Sequence, residues 1–290
     1  MKSYADYIQV PWTEKFVSLP TGIQMCYCVC GPEDGVPLLL IHGVTDGRIS
    51  WTQVAPMLAK LGYRVYVPEY RGNGKTDKPD PGPGGYSVET HRDDMFAFMD
   101  AVGVEKAHVA GHSLGSLIAH LMNLKAPERL LSTTLLESTV CCATSEVLKW
   151  AHDGDGKEYL GVSGYDAEQK MPESFLQGWA DTSNDSADFR EATLEHVRQM
   201  PYPVWNWLIT GLNAFDNREN IGKVSGRVQV IWASKDDIFP AADQEALKAG
   251  LTGCDLTCKV IEGGSHNVHW DSPETRETFV KMLDEFIKAG

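Results

Sequence analysis

No stretch of this 290-residue chain reaches the ~18 uninterrupted apolar residues that a membrane-spanning helix needs, and the amino-terminal segment MKSYADYIQVPWTEKF lacks the apolar core of an export signal. Positive charge is also scarce. Against 40 acidic residues stand 26 basic ones, and the formal net charge of −14 repels phosphate backbones and anionic membrane surfaces. Neither nucleic acid nor membrane is therefore an expected partner. There is no low-complexity tract and no repeat at a fixed period, which argues against a disordered chain and against a solenoid. The cysteines number seven, an odd count, and without an export signal the expectation is a cytoplasmic protein with free thiols. Cys26, Cys28 and Cys30 alternate along IQMCYCVC, on one face of an expected strand. No matching His or Cys cluster accompanies them, so small apolar packing is expected there, not a metal.

What is present is a rhythm. Short apolar runs alternate with longer segments of helical period, the pattern of a mostly parallel sheet covered by helices. KFVSL and IQMCYCVC read as an opening antiparallel pair, and PLLLIHG, RVYVPEYRG, KAHVAG and LSTTLLES as further strands. Helices are expected at WTQVAPMLAKLG, at SVETHRDDMFAFMDAVG with Ser87 as its N-cap and Gly103 as its stop, and at SLIAHLMNLKAP. From about residue 140 to 220 the rhythm breaks. That stretch carries Trp150, Trp179, Trp205 and Trp207, half of the chain's eight tryptophans, and no convincing buried strand. Afterwards RVQVIWA, AADQEALKAGL, LTCKVIE and SPETRETFVKMLDEFIKAG restore the alternation. The expected organisation is an α/β core of residues 1–139 and 221–290, interrupted by a helical cap over 140–220.

GHSLG, residues 111–115, fits G-x-S-x-G, a pattern that is weak alone. Its context strengthens it, because a strand runs into the first glycine and a helix leaves the serine, as a nucleophile elbow requires. A serine hydroxyl needs a base to remove its proton and a carboxylate to orient that base. Asp236, just past a buried strand, and His266, in a glycine-rich loop past the last strand, supply both. The order Ser113, Asp236, His266 is the order of the elbow-bearing triads. For the oxyanion hole, the backbone N–H of Leu114, next after the serine, and that of Val44 in LLLIHGVTDG are the expected donors.

These motifs together resemble α/β-hydrolases of the proline-iminopeptidase, arylesterase and cofactor-free perhydrolase type. The resemblance rests on the elbow, IHGVTDGRISW, YRGNGKTDKP, SKDDIFP and SHNVHWDSPE, in the expected order over nearly the whole chain. It implies an α/β-hydrolase fold, a mostly parallel sheet flanked by helices, with the cap inserted after the sixth strand. It also implies the triad Ser113, His266 and Asp236, an oxyanion hole at Val44 and Leu114, and no cofactor. Three positions depart from the pattern: Ser116 stands where a glycine is usual after the elbow, Ala233 where glycine is common in the acid loop, and Ser265 where glycine is usual before the histidine.

The expected activity is a serine hydrolase that cleaves a small, mostly uncharged ester, thioester or lactone through an acyl-enzyme. Alternatives are the same triad used for carbon–carbon bond or amide hydrolysis or for perhydrolysis, and a hydrolase-fold ligand sensor with slow turnover. Aspartate-nucleophile epoxide hydrolases and dehalogenases are disfavoured by the serine at the elbow. Glu137, at the end of LSTTLLES, is the alternative triad acid; failing that, it would sit at the cap entrance and bond the first turn of the cap or touch substrate. Trp179, Trp205 and Trp207 could line the substrate pocket or glue the cap to the core. His42 and His112 are expected to be structural hydrogen-bonders, His269 to pack beneath its loop, and SNDSADFREATLEHVRQ to be a solvated helix. His266 and His269 lack the spacing of a helical metal pair, so no metal is expected. The oligomeric state is not legible.

Overall fold

The computed structural model describes residues 1–8, 12–81, 85–145, 171–180 and 186–290. Eight strands form one sheet: β1 (Thr13–Ser18), β2 (Gln24–Cys30), β3 (Val36–Ile41), β4 (Tyr63–Pro68), β5 (Ala107–His112), β6 (Leu130–Leu136), β7 (Arg227–Ala233) and β8 (Asp255–Ile261). Their spatial order is β1-β2-β4-β3-β5-β6-β7-β8. Strand β2 pairs antiparallel with β1 and β4, with Phe16 opposite Cys26, and the pairs from β4 through β8 are parallel. The sheet is thus mostly parallel, with the antiparallel pair that the sequence predicts at one edge.

Both faces of the sheet are covered, which is why β3 reads as a continuous apolar run and not as an alternating one. Along β3, Leu38 and Leu40 join an apolar layer with Leu58 of helix α2 (Ala55–Lys60) and Phe279 and Leu283 of the last helix (Pro273–Lys288). Their neighbours Leu39 and Ile41 point the other way, into a layer with Phe98 of α3 (Val88–Ala101) and Leu117 and Ile118 of α4 (Leu114–Lys125). The two-residue period of the strand therefore feeds two layers at once. Ser87 caps α3 by accepting the Thr90 N–H, and Gly103 follows that helix with a φ of +73°. The helix expected over WTQVAPMLAKLG is shorter than its pattern: a 3₁₀ turn (Arg48–Trp51) precedes α2, because Pro56 has no N–H to give and restricts the residue before it.

Helices α5 (Glu173–Trp179), α6 (Ala187–Arg198) and α7 (Tyr202–Asn213) lie between β6 and β7 in the chain. Phe175, Leu194, Val197 and Trp205 from these helices are buried in the same apolar layer as α3 and α4. Helix α6 corrects the reading of a solvated segment. Phe189, Ala192, Thr193, His196 and Val197 are buried along one side of it, the spacing of an amphipathic helix. Its N-cap Ser186 accepts the Phe189 N–H. Helix α1 (Tyr4–Ile8) packs on α6, where the Lys2 N–H reaches Asp188 at 3.1 Å and the Tyr4 N–H reaches Glu195 at 3.3 Å. Trp150 lies outside the described residues. Helices α8 (Ala241–Gly250) and α9 (Pro273–Lys288) close the core. No helix among the described residues is long and apolar enough to cross a membrane.

Candidate active site

Among the described residues, three that are not glycine hold a left-handed backbone: Thr45 with φ 61°, Ser113 with φ 52° and Glu137 with φ 47°. Each follows the carboxyl end of a neighbouring strand, β3, β5 or β6. Strain of this kind survives only where surrounding structure imposes it, and here it gathers on the sheet edge where ligands of parallel α/β folds bind.

Ser113 sits in a one-residue turn between β5 and α4. The flanking glycines allow that turn by close approach. A Cβ on Gly111 would lie 2.1 Å from the Gly115 carbonyl oxygen, and a Cβ on Gly115 would lie 2.2 Å from that of Ile41. Ser113 therefore meets the positive end of the α4 dipole, and the Leu114 N–H is one of the helix's orphan donors.

The Nδ1 of His266 lies 3.0 Å from both carboxylate oxygens of Asp236. Asp236 is itself fixed, its Oδ1 accepting the N–H groups of Ile238 at 2.9 Å and Phe239 at 3.0 Å. His112, the residue before Ser113, donates through Nε2 to the His266 carbonyl at 2.8 Å, so the elbow and the histidine loop are tied together. Burial works against a charged His266, but the Asp236 carboxylate and its hydrogen bond outweigh this and hold the imidazole pKa above its ordinary value. Burial likewise opposes a charged Asp236, and the His266 partner overrides it to keep that carboxyl below its usual range.

Among the described residues, Glu137 bonds the core. Its Oε2 accepts the Ala233 N–H at 3.1 Å, below the site, and the residue is fully buried. Burial, with the nearby Asp236 charge, pushes its pKa well above the usual carboxylate range. Ligand atoms of Glu137, Asp236 and His266 lie within 4.8 Å of one another. A cation placed there would have to break the His266–Asp236 bond.

The loop after β3 is held on its inner side. The Gly43 carbonyl accepts from the Tyr70 hydroxyl at 2.6 Å, from His42 Nδ1 at 2.8 Å and from the Asp46 N–H at 3.3 Å. Burial lowers the His42 pKa to about 4, so the ring is a neutral donor. A carbonyl and the following N–H point in opposite directions across one peptide plane. Anchoring Gly43 therefore aims the Val44 N–H away from these donors, and among the described residues it has no acceptor.

The sequence pattern of the alpha/beta hydrolase fold matches residues 36–273. The chain belongs to that family. This α/β-hydrolase is 28% identical over 260 residues to the putative carbamate hydrolase RutD of Azorhizobium caulinodans, across 86% of this chain and 90% of that one. To epoxide hydrolase 2 of Caenorhabditis elegans it is 24% identical over 295 residues, across 94% of this chain and 80% of the other. Of solved structures, a putative lipase (lip1) from Acinetobacter baumannii AYE shares the fold with a TM-score of 0.80 at 20% identity, covering all of this chain (100%) and 98% of that one. The relatives are hydrolases by name.

At two of the three positions where this α/β-hydrolase departs from the resembled pattern, Ser116 and Ser265, the substituted side chain makes hydrogen bonds. Ser116 donates to the Ser113 carbonyl at 2.6 Å, which leaves its Oγ to accept from the Ser138 hydroxyl at 2.7 Å. Ser265 reaches Asp271 through both Oγ, at 2.6 Å, and N–H, at 2.9 Å. The cap tryptophans differ among themselves. Trp205 is wholly buried, its ring edge-on to Phe175 and Trp179, while half-buried Trp207 lies against Tyr86. His269 is buried against Trp51 and His112. Sequence reasoning missed Tyr70 and His196. His196, on α6, donates through Nε2 to the Asp46 carbonyl at 2.7 Å and accepts from the Tyr4 hydroxyl at 2.9 Å. Only folding brings such partners together, and no local pattern announces them.

Proposed function

We propose that this α/β-hydrolase is a serine hydrolase acting on a small, mostly uncharged ester, thioester or lactone. The observation that carries the reading is the His266–Asp236 pair, bonded at 3.0 Å, whose loop hangs from the residue adjacent to Ser113. In this reaction Ser113 Oγ attacks the carbonyl carbon as its proton passes to His266. Asp236 holds the Nδ1 proton and stabilises the imidazolium. The negative charge on the former carbonyl oxygen meets the N–H groups of Val44 and Leu114 and the start of α4. Collapse of the adduct transfers that proton to the leaving group, and water then releases the acyl-enzyme by the same steps in reverse.

The core of residues 1–139 and 221–290 supplies these groups, and the cap over 140–220 sets which acyl or alcohol portion fits. No cofactor takes part in the scheme. The serine at the elbow separates this reading from the epoxide and dehalogenation chemistry that some relatives' names carry. Seven free thiols fit a cytoplasmic setting.

The experiment is a panel of p-nitrophenyl esters of graded acyl length, assayed with wild type and with Ser113→Ala. Sustained turnover that the alanine variant loses supports the proposal. A single turnover followed by a change in affinity for another protein would mark a ligand sensor instead.

A further inference from the structure

Among the described residues, the cap hydrogen-bonds the loop that carries Val44 at two consecutive positions, Thr45 and Asp46. His196 holds the Asp46 carbonyl, and Trp179, at the end of α5, donates its indole N–H to Thr45 Oγ1 at 2.7 Å. An indole nitrogen can only donate, so the threonine hydroxyl must accept there. Its single proton is left for the Val44 carbonyl, which lies 2.6 Å away. The two bonds therefore form a directed chain from the cap to the Val44 backbone.

Thr45 needs such support. It is β-branched and has a φ of 61°, a region its side chain disfavours, and its hydroxyl bond to Val44 fixes the turn that this backbone makes. From the core side, Tyr70 and His42 hold the Gly43 carbonyl. Val44 thus lies between two anchored peptides, one fixed by the core and the other by the cap. The Val44 N–H belongs to the Gly43–Val44 peptide that the core holds; with the peptide after Val44 released, that plane keeps its support on one side alone, and a tilt of the loop would carry the N–H off its line.

We propose that Trp179 is a positioning residue for the oxyanion hole: acting through Thr45, it holds the Val44 peptide in line, so that acylation of Ser113 requires the cap to be docked. The inference rests on the serine-hydrolase reading and gives a cap residue a part in the chemical step, beyond shaping a pocket.

The test uses the intact protein and a fluorophosphonate probe, whose attack by serine also develops charge on an oxygen in the oxyanion hole. For wild type, Trp179→Phe, Thr45→Val, Thr45→Ser and the double variant Trp179→Phe/Thr45→Val, the maximal inactivation rate and the half-saturating probe concentration are measured, with melting temperatures. Trp179→Phe and Thr45→Val should each slow the maximal rate on the order of 10-fold, less than outright loss of an oxyanion donor, with the half-saturating concentration nearly unchanged. The double variant should be no slower than the worse single one, because both break one chain. Thr45→Ser, which keeps the hydroxyl, should recover most of the rate. Single variants at the wild-type rate, a change in half-saturation alone, multiplicative losses in the double variant, or a rate that follows melting temperature instead of the hydroxyl would each overturn the inference while leaving the hydrolase reading standing. Wild type that fails to label at Ser113 overturns that reading and the inference together.

Discussion

Replacing Asp236 by Asn, beside Glu137→Gln as its counterpart, separates two carboxyl groups that lie a few ångströms apart. Asp236 faces His266 at 3.0 Å in a buried setting. With the charge centres ~4 Å apart and an effective dielectric of ~20, the carboxylate stabilises the imidazolium by about 4 kcal/mol. That corresponds to about three orders of magnitude in rate. Asparagine also lets the ring adopt the wrong tautomer, so the loss in kcat should be on the order of 10⁴, with the fold kept. Burial and the nearby Asp236 charge push the Glu137 pKa well up and so favour its neutral form. Glutamine copies that neutral shape and keeps an oxygen for the Ala233 N–H. Its kcat should stay within about threefold of wild type, the scatter expected for a neutral replacement. Steady-state kinetics on the best ester of the panel, with melting temperatures for both variants, decides the matter. If Glu137→Gln collapses while Asp236→Asn keeps near-normal turnover, the acid is Glu137 and the charge argument fails.

A fluorophosphonate probe should label the protein once, at Ser113; peptide mass spectrometry that finds another site, or no site in folded protein, counts against the mechanism. kcat/KM should fall as pH drops, because a protonated His266 cannot accept the serine proton, and the midpoint should lie above the ordinary value of 6.5 because Asp236 favours the imidazolium. The sign for stability is opposite: the raised His266 pKa contributes stability below the unfolded value, and that contribution is lost as pH rises through the folded one. A midpoint below 6.5 would contradict the pairing. Trp205→Ala should cost about 3–5 kcal/mol in denaturant melts, since the ring is wholly buried. Trp207→Ala should cost much less and shift the acyl-length profile, and equal effects of the two would refute that division. EDTA should leave turnover unchanged; inhibition that added metal restores would replace the metal-free scheme.

The strands were legible because both faces of the sheet are buried, so Leu38 through Ile41 form an unbroken apolar run and Val228, Val230 and Ile231 are buried around a single polar residue, Gln229. The elbow was legible because Gly111 and Gly115 answer to backbone atoms that no side chain can displace. Helix α6 was misread because its polar residues outnumber its apolar ones. The buried series from Phe189 to Val197 shows only when the helical period is traced through them. Glu137 was ambiguous for a different reason. Its strand-end position was plain, but whether its oxygens meet the cap or Ala233 depends on the rotamer imposed by φ 47° and by the packing of β7. Tyr70, His196 and the Trp179–Thr45 bond join segments far apart in the chain, and single-sequence patterns carry no record of such pairings.

Helix α1 gives the amino-terminal segment a reach that its exposed position does not suggest. Tyr4 orients His196, which holds the Asp46 carbonyl two residues from Val44. A bulky tag fused ahead of Met1, or proteolytic trimming through residue 8, therefore acts on the bond by which His196 holds that loop. Matched preparations tagged at the amino or the carboxyl end are not interchangeable for kinetics, and specific activities compared between them report strain in this strap as well as chemistry at the serine.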